Sequence, residues 1–229
     1  MRIGLDGQWT DLEVRIELSE VLRYLGHRAQ KSPPTPEAMA VCRQMCEFAF
    51  ELVRPAGIGL DYPAVISEQE IRIGDSLQIS GARTIRRLGR ISRAYLFAVT
   101  IGSKLEDEVN SLFERGEYTK GAVLDAAGSV AVESLAERVN QTVRQRAGQI
   151  GLIAGDRISP GYNDWPLEAQ HSLFPLTQGD RVGISLNKSG LLVPRKSITA
   201  LIGIGTNDLK QQGKSECSRC SLEDCQFRD

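Results

Sequence analysis

Almost no net charge separates the 28 lysines and arginines of this 229-residue chain from its 29 aspartates and glutamates. A general nucleic-acid binder normally carries a strong basic excess, so this balance argues against that class of partner. Long apolar runs are also missing. No window approaches the ~18 consecutive apolar residues that a membrane-spanning helix needs. The opening Met1-Arg2-Ile3-Gly4-Leu5-Asp6-Gly7 has no apolar signal core, and the expected location is the cytoplasm. Internal repeats and low-complexity tracts are absent. Histidine is limited to His27 and His171, and no partner residue marks either as a catalytic base. The cysteines number five, an odd count, with Cys42 and Cys46 in one helical pattern. That argues against a disulfide framework and for reduced thiols or metal ligands.

What is present is an ordinary globular composition, 41% hydrophobic and 25% charged. A chain of this size buries about 70% of the surface its unfolded form exposes. We expect one domain over residues 1–210 and a polar, cysteine-bearing tail over 211–229.

Leu12 to Leu18 alternates apolar and polar residues, the period of a half-buried strand. Ser19 is placed to cap a short helix closed by Gly26. Thr35 and Pro36 open a second helix, with proline at the first helical position, where its missing N–H is harmless. That helix runs to about Leu52, and Leu60 to Ser80 reads as irregular and strand-rich. Arg93 to Ile101 is a continuous apolar run, as in a strand covered on both faces. Ser103-Lys104-Leu105-Glu106 matches a capping box that starts a helix ending near Arg115. The longest helix spans about Thr119 to Ala147. Its first half is crowded with Gly121, Ala126, Ala127, Gly128, Ser129 and Ala131, which let another backbone or a ligand come close. Strands are expected at Arg181–Leu186 and Ser197–Ile204. Strands and helices mix without regular alternation, so the expected class is α+β with an antiparallel or mixed sheet.

The segment Arg157-Ile158-Ser159-Pro160-Gly161-Tyr162 carries the most chemistry. Arg157 has a planar fork that grips a carboxylate with two parallel hydrogen bonds. Pro160 stiffens the chain, Gly161 lets the backbone itself meet a ligand, and Tyr162 offers a face that attracts a cation such as a sulfonium. The same residues also describe a tight surface turn with a salt-bridged arginine. Glu133 and Glu137, one helical turn apart, could present two carboxylates to a cation, or form a solvated face salted by Arg138 and Arg144. Asp164 reads as a helix cap, with Pro166 two residues on.

Three ordered motifs resemble the activation domain of cobalamin-dependent methionine synthase. They are Arg157 to Tyr162, Val182-Gly183-Ile184-Ser185-Leu186-Asn187-Lys188-Ser189, and Val193-Pro194-Arg195-Lys196-Ser197-Ile198-Thr199-Ala200. The helix through Val132 to Val139 resembles the one that precedes the first motif in that family. The match covers about Val132 to Gly205. The resemblance implies a twisted antiparallel sheet with helices, here as a stand-alone protein. It implies binding of S-adenosylmethionine and reductive remethylation of inactive cob(II)alamin on a separate methionine synthase or related corrinoid protein, with an electron donor as a further partner. Under it Arg157 holds the methionine carboxylate, and backbone groups of Ser159, Pro160, Gly161 and Tyr162 line the adenosine and sulfonium; Glu133 and Glu137 join this candidate site on their own spacing. The chain differs from the family at Lys188, where an acidic residue is usual, and at Leu201-Ile202, where an aromatic pair is usual.

A second signal is the tail sequence Cys217-Ser218-Arg219-Cys220, followed by Cys225. Three thiolates at this spacing could hold a zinc with a fourth ligand from elsewhere, or an iron–sulfur cluster with an open corner, or remain free. A redox centre there would make the alternative function an electron delivery to a corrinoid partner. Cys42 and Cys46 are read as core residues. Arg83, Arg86, Arg87 and Arg90 lie at helical spacing, as a docking face for an acidic partner or a solvated helix face.

Overall fold

The computed structural model describes residues 4–10, 12–27, 33–67 and 69–206. The tail over 211–229, with Cys217, Cys220 and Cys225, lies outside the described residues.

The run at the centre of the chain explains the architecture. Strand β5 (Ile91–Thr100) alternates faces, and both faces are covered. Tyr95, Phe97 and Val99 face one core cluster, while Ala94 and Leu96 face another. Beside β5 lie β2 (Ala56–Ile66) and β9 (Ser197–Gly205), both antiparallel to it, with Leu96 opposite Leu60 on one side and Leu201 on the other. Outward from β2 come β3 (Ile71–Ile73) and β4 (Leu77–Ile79), and β1 (Gly7–Trp9) pairs with the other half of β2. Beyond β9, β6 (Ile153–Ile158) forms the opposite edge. Every ladder of this sheet is antiparallel, one of the two arrangements that the α+β reading expected.

Helices α1 (Leu18–Tyr24), α2 (Pro36–Leu52), α4 (Lys104–Glu114) and α5 (Tyr118–Gln149) bury residues in the cluster on one face. Helices α3 (Ala82–Leu88) and α6 (Gln170–Thr177) contribute Leu88 and Leu173 to the other. A small hairpin, β7 (Ser185–Leu186) and β8 (Leu192–Val193), precedes β9. No helix among the described residues is long and apolar enough to cross a membrane.

Small side chains on α5 serve packing. A Cβ at Gly128 would lie 2.6 Å from Leu105 Cδ2, and one at Gly121 would lie 3.2 Å from the Phe113 ring, both on α4. The Thr35 hydroxyl caps α2 by accepting from Ala38 N at 3.2 Å, with Pro36 at the first position. Thr35→Ala should therefore lower stability by about 1 kcal/mol, read from denaturant unfolding.

Four local expectations are corrected. Leu12 to Glu17 forms no ladder, and Leu18 already belongs to α1: the apolar residues of the segment lie on the helical core and Arg15 N donates to Ser134 Oγ of α5 at 3.0 Å. A helix surface offers no row of backbone partners, so alternation here produces a strap. Helix α1 starts at Leu18, with Glu17 in the cap position that Ser19 was expected to fill. The capping box at Ser103 does not close, because Glu106 is drawn to Arg195, accepting from its backbone N at 2.9 Å and its Nε at 2.6 Å. The strand expected at Arg181–Leu186 is reduced to β7, after a 3-10 turn over Gly179–Val182.

Candidate functional site

The edge strand β6 brings Arg157 against α5. Its partner in the ladder is Ile202, and its Nη2 donates to the Glu133 carboxylate. Glu137 follows one turn along α5 and accepts from Gln141 Nε2 at 3.1 Å. Both glutamates and Arg157 line a cleft of about 560 Å³. The expected salt to Arg144 is not made; that guanidinium pairs with Asp156 instead.

The far wall of the cleft comes from the strap and α1, which the sequence reading did not assign to a site. Glu13, Glu17 and Glu20 add carboxylates, and Arg15, Arg23 and Tyr24 complete that wall. Arg23 donates to Glu20 at 2.8 Å while its guanidinium lies 5.2 Å from the Tyr24 ring centroid. Burial, followed by the neighbouring Glu133 charge, pushes the Tyr24 phenol above its ordinary range. It stays protonated at neutral pH and is a donor. Tyr162 is within electrostatic reach of the same phenol and is 57% exposed. No local motif in 12–24 signals this role, because the wall exists only where the strap crosses α5.

The expected contacts from Ser159, Pro160 and Gly161 are of a different kind. They form the turn that leaves β6 and do not line the cleft. Ser159 Oγ donates to the Thr199 carbonyl at 2.8 Å and Pro160 is buried. Gly161, at φ +91°, donates its N–H to the Trp165 carbonyl at 2.8 Å. Leu201 and Ile202 are fully buried on opposite faces of the sheet, so the departures there belong to the core. Lys188 is exposed in the β7–β8 turn, where Asn187 Oδ1 accepts from Ser189 N and Leu191 N, each at 2.9 Å.

Asp164 caps a helix, but not the one that follows it. Its carboxylate accepts from Arg83 N at 2.7 Å, Thr84 N at 2.9 Å and Thr84 Oγ at 2.7 Å, all at the start of α3. Burial pushes its carboxyl up, but the Thr84 hydroxyl and the amides of Arg83, Thr84 and Asp164 itself outweigh that and hold it at about 2. On α3, Arg83 and Arg86 are exposed, and so is Arg90 just beyond its end. Cys42 and Cys46 are free and buried in the core, and burial raises both thiols, Cys46 to about 11. No cluster of potential metal ligands occurs among the described residues.

These features define an α+β domain with a charged cleft walled by its longest helix, the strap, α1 and Arg157 of an edge strand. Among solved structures it is similar to the MetH reactivation domain bound to AdoHcy, with a TM-score of 0.65 and 14% identity, over 87% of this chain and 79% of that one. The chain has the fold of that reactivation domain. No family model matches it, and no curated protein matches its sequence.

Proposed function

We propose that this chain acts as a reactivation module that binds S-adenosylmethionine in the α5–β6 cleft. It offers the methyl group to a corrinoid held by a separate, cytoplasmic cobalamin-dependent methionine synthase or related methyltransferase. The observation that carries this reading is the Arg157–Glu133 pair inside the cleft, in a fold whose solved relative holds AdoHcy.

The lining fits the ligand. Five carboxylates (Glu13, Glu17, Glu20, Glu133, Glu137) face four guanidiniums (Arg15, Arg23, Arg138, Arg157), which suits a zwitterion better than a phosphate or a simple cation. Arg157 has five N–H donors, so pairing with Glu133 leaves others for the α-carboxylate. Glu133 and Glu137 receive the α-ammonium. The rest of the ligand extends past the cleft lining toward the neighbouring Ser159–Tyr162 turn, with the sulfonium toward the exposed Tyr162 ring and the nucleoside toward the turn's backbone. When bound, S-adenosylmethionine supplies an electrophilic methyl group, while the cobalamin and the electron belong to partner proteins. This chain's residues then hold the amino-acid end fixed and leave the sulfonium side open to a docking partner.

Calorimetric titration tests the reading. S-adenosylmethionine and S-adenosylhomocysteine should both saturate the protein at one shared site. Adenosine, which lacks the amino-acid end, should bind at least about 10-fold more weakly, since hydrogen bonds to charged groups each contribute roughly 1.5–3 kcal/mol. Absence of binding, or adenosine binding as tightly, overturns it.

A further inference from the structure

The turn that carries Gly161 and Tyr162 is held by a residue outside the cleft. Helix α3 begins after Gly81, which has no side chain to satisfy the free amides of the first turn. Asp164, about 80 positions later in the chain, supplies that cap through its three bonds to Arg83 and Thr84. The fit is close: a Cβ at Gly81 would lie 2.5 Å from Asp164 Oδ1 and 2.7 Å from its carbonyl oxygen. On the other side of Asp164, Trp165 is 3% exposed in the core beside the sheet, and its backbone N–H donates to the Tyr162 carbonyl at 3.1 Å. Within the turn, Gly161 and Asn163 both take left-handed backbone conformations, at φ +91° and +56°. Asparagine tolerates that conformation better than other residues with a side chain, so Asn163 suits this tight turn.

We propose that Asp164 is a positioning residue for the turn beside the cleft, toward which the proposed ligand extends. By capping α3 it fixes the Ser159–Trp165 turn, and with it the Tyr162 ring and the Gly161 backbone, where the ligand meets them. The inference rests on the S-adenosyl-ligand reading above for its effect on affinity. Holding the turn ready removes an ordering loss that binding would otherwise carry.

Two readouts test it, S-adenosylhomocysteine affinity by calorimetry and amide hydrogen exchange without ligand. Asp164→Ala should weaken affinity on the order of 10-fold. It should also raise exchange at the Gly161 and Trp165 amides by at least about 10-fold. Gly81→Ala should do the same by displacing the carboxylate from the other side, and combining the two should add little. Asp164→Asn keeps an acceptor and a good cap, and should recover most of both. Thr35→Ala is the control: it lowers stability at a remote helix and should leave affinity unchanged. Wild-type affinity in a folded Asp164→Ala, unchanged exchange, or equal loss in Thr35→Ala overturns the proposal. If the wild type binds no ligand but the turn loosens as stated, Asp164 still positions the turn and the functional reading is what fails.

Discussion

Replacing Arg157 with alanine is expected to weaken binding of S-adenosylhomocysteine by roughly 10- to 100-fold while leaving the fold intact. The size follows from the charge-assisted bonds that the guanidinium makes to a carboxylate, roughly 1.5–3 kcal/mol, at about 1.4 kcal/mol per factor of ten. Loss of the cation also leaves Glu133 facing the ligand's carboxylate unneutralised, which adds repulsion. Stability should change little. The Arg157 and Glu133 side chains are 26% and 41% exposed, and pairs this exposed contribute about 0–1 kcal/mol. Calorimetry with a parallel thermal melt separates the two effects. Unchanged affinity in a folded Arg157→Ala variant would move the ligand away from β6 altogether.

The largest loss of stability is expected from adding a single methyl group at Gly59. This glycine of β2 lies opposite Phe97 of β5 and Gly7 of β1. A Cβ there would come within 2.2 Å of Tyr95 Oη, 2.5 Å of its Cζ and 2.7 Å of Trp9 Cη2. None of these can retreat cheaply. Tyr95 is fully buried, its hydroxyl donates to the Leu5 carbonyl at 2.8 Å, and its ring stacks on Trp9 with centroids 6.3 Å apart. Gly59→Ala should therefore destabilise by about 3 kcal/mol, lowering the melting temperature by roughly 6–12 °C. Gly148, near the end of α5, has open space where a Cβ would stand and provides the contrast. Alanine there should be neutral or stabilise by up to about 1 kcal/mol, because it only restricts the unfolded chain. Equal melting temperatures for the two variants would contradict the packing described at Tyr95.

Much of the framework was legible from local pattern. The apolar run of β5 announced a strand covered on both faces, and the Thr35-Pro36 start of α2 has the cap it implied. Arg157, Glu133 and Glu137 stood out by residue type and spacing, and the three line one cleft, with Arg157 salt-bridged to Glu133. The failures have a common cause. Alternation over Leu12 to Leu18 reports which side chains are buried, and says nothing about whether the neighbour is a strand or a helix. Ser103 and Glu106 satisfy a local rule that a distant arginine, Arg195, overrides. Asp164 has the chemistry of a cap, but which helix it serves depends on chain that lies far away in sequence.

The sequence by itself determined the local preferences: the long helix, the buried strand, the turn after β6 and the charged residues that a zwitterionic ligand would need. These depend on side-chain volume, polarity and backbone freedom over a few neighbouring residues. Tertiary structure alone decided that the strap and α1 close the cleft, that Asp164 caps α3 and that Tyr24 stands beside Glu133. Each of those contacts joins segments separated by tens of residues, and it forms only because packing both faces of one antiparallel sheet leaves those surfaces adjacent.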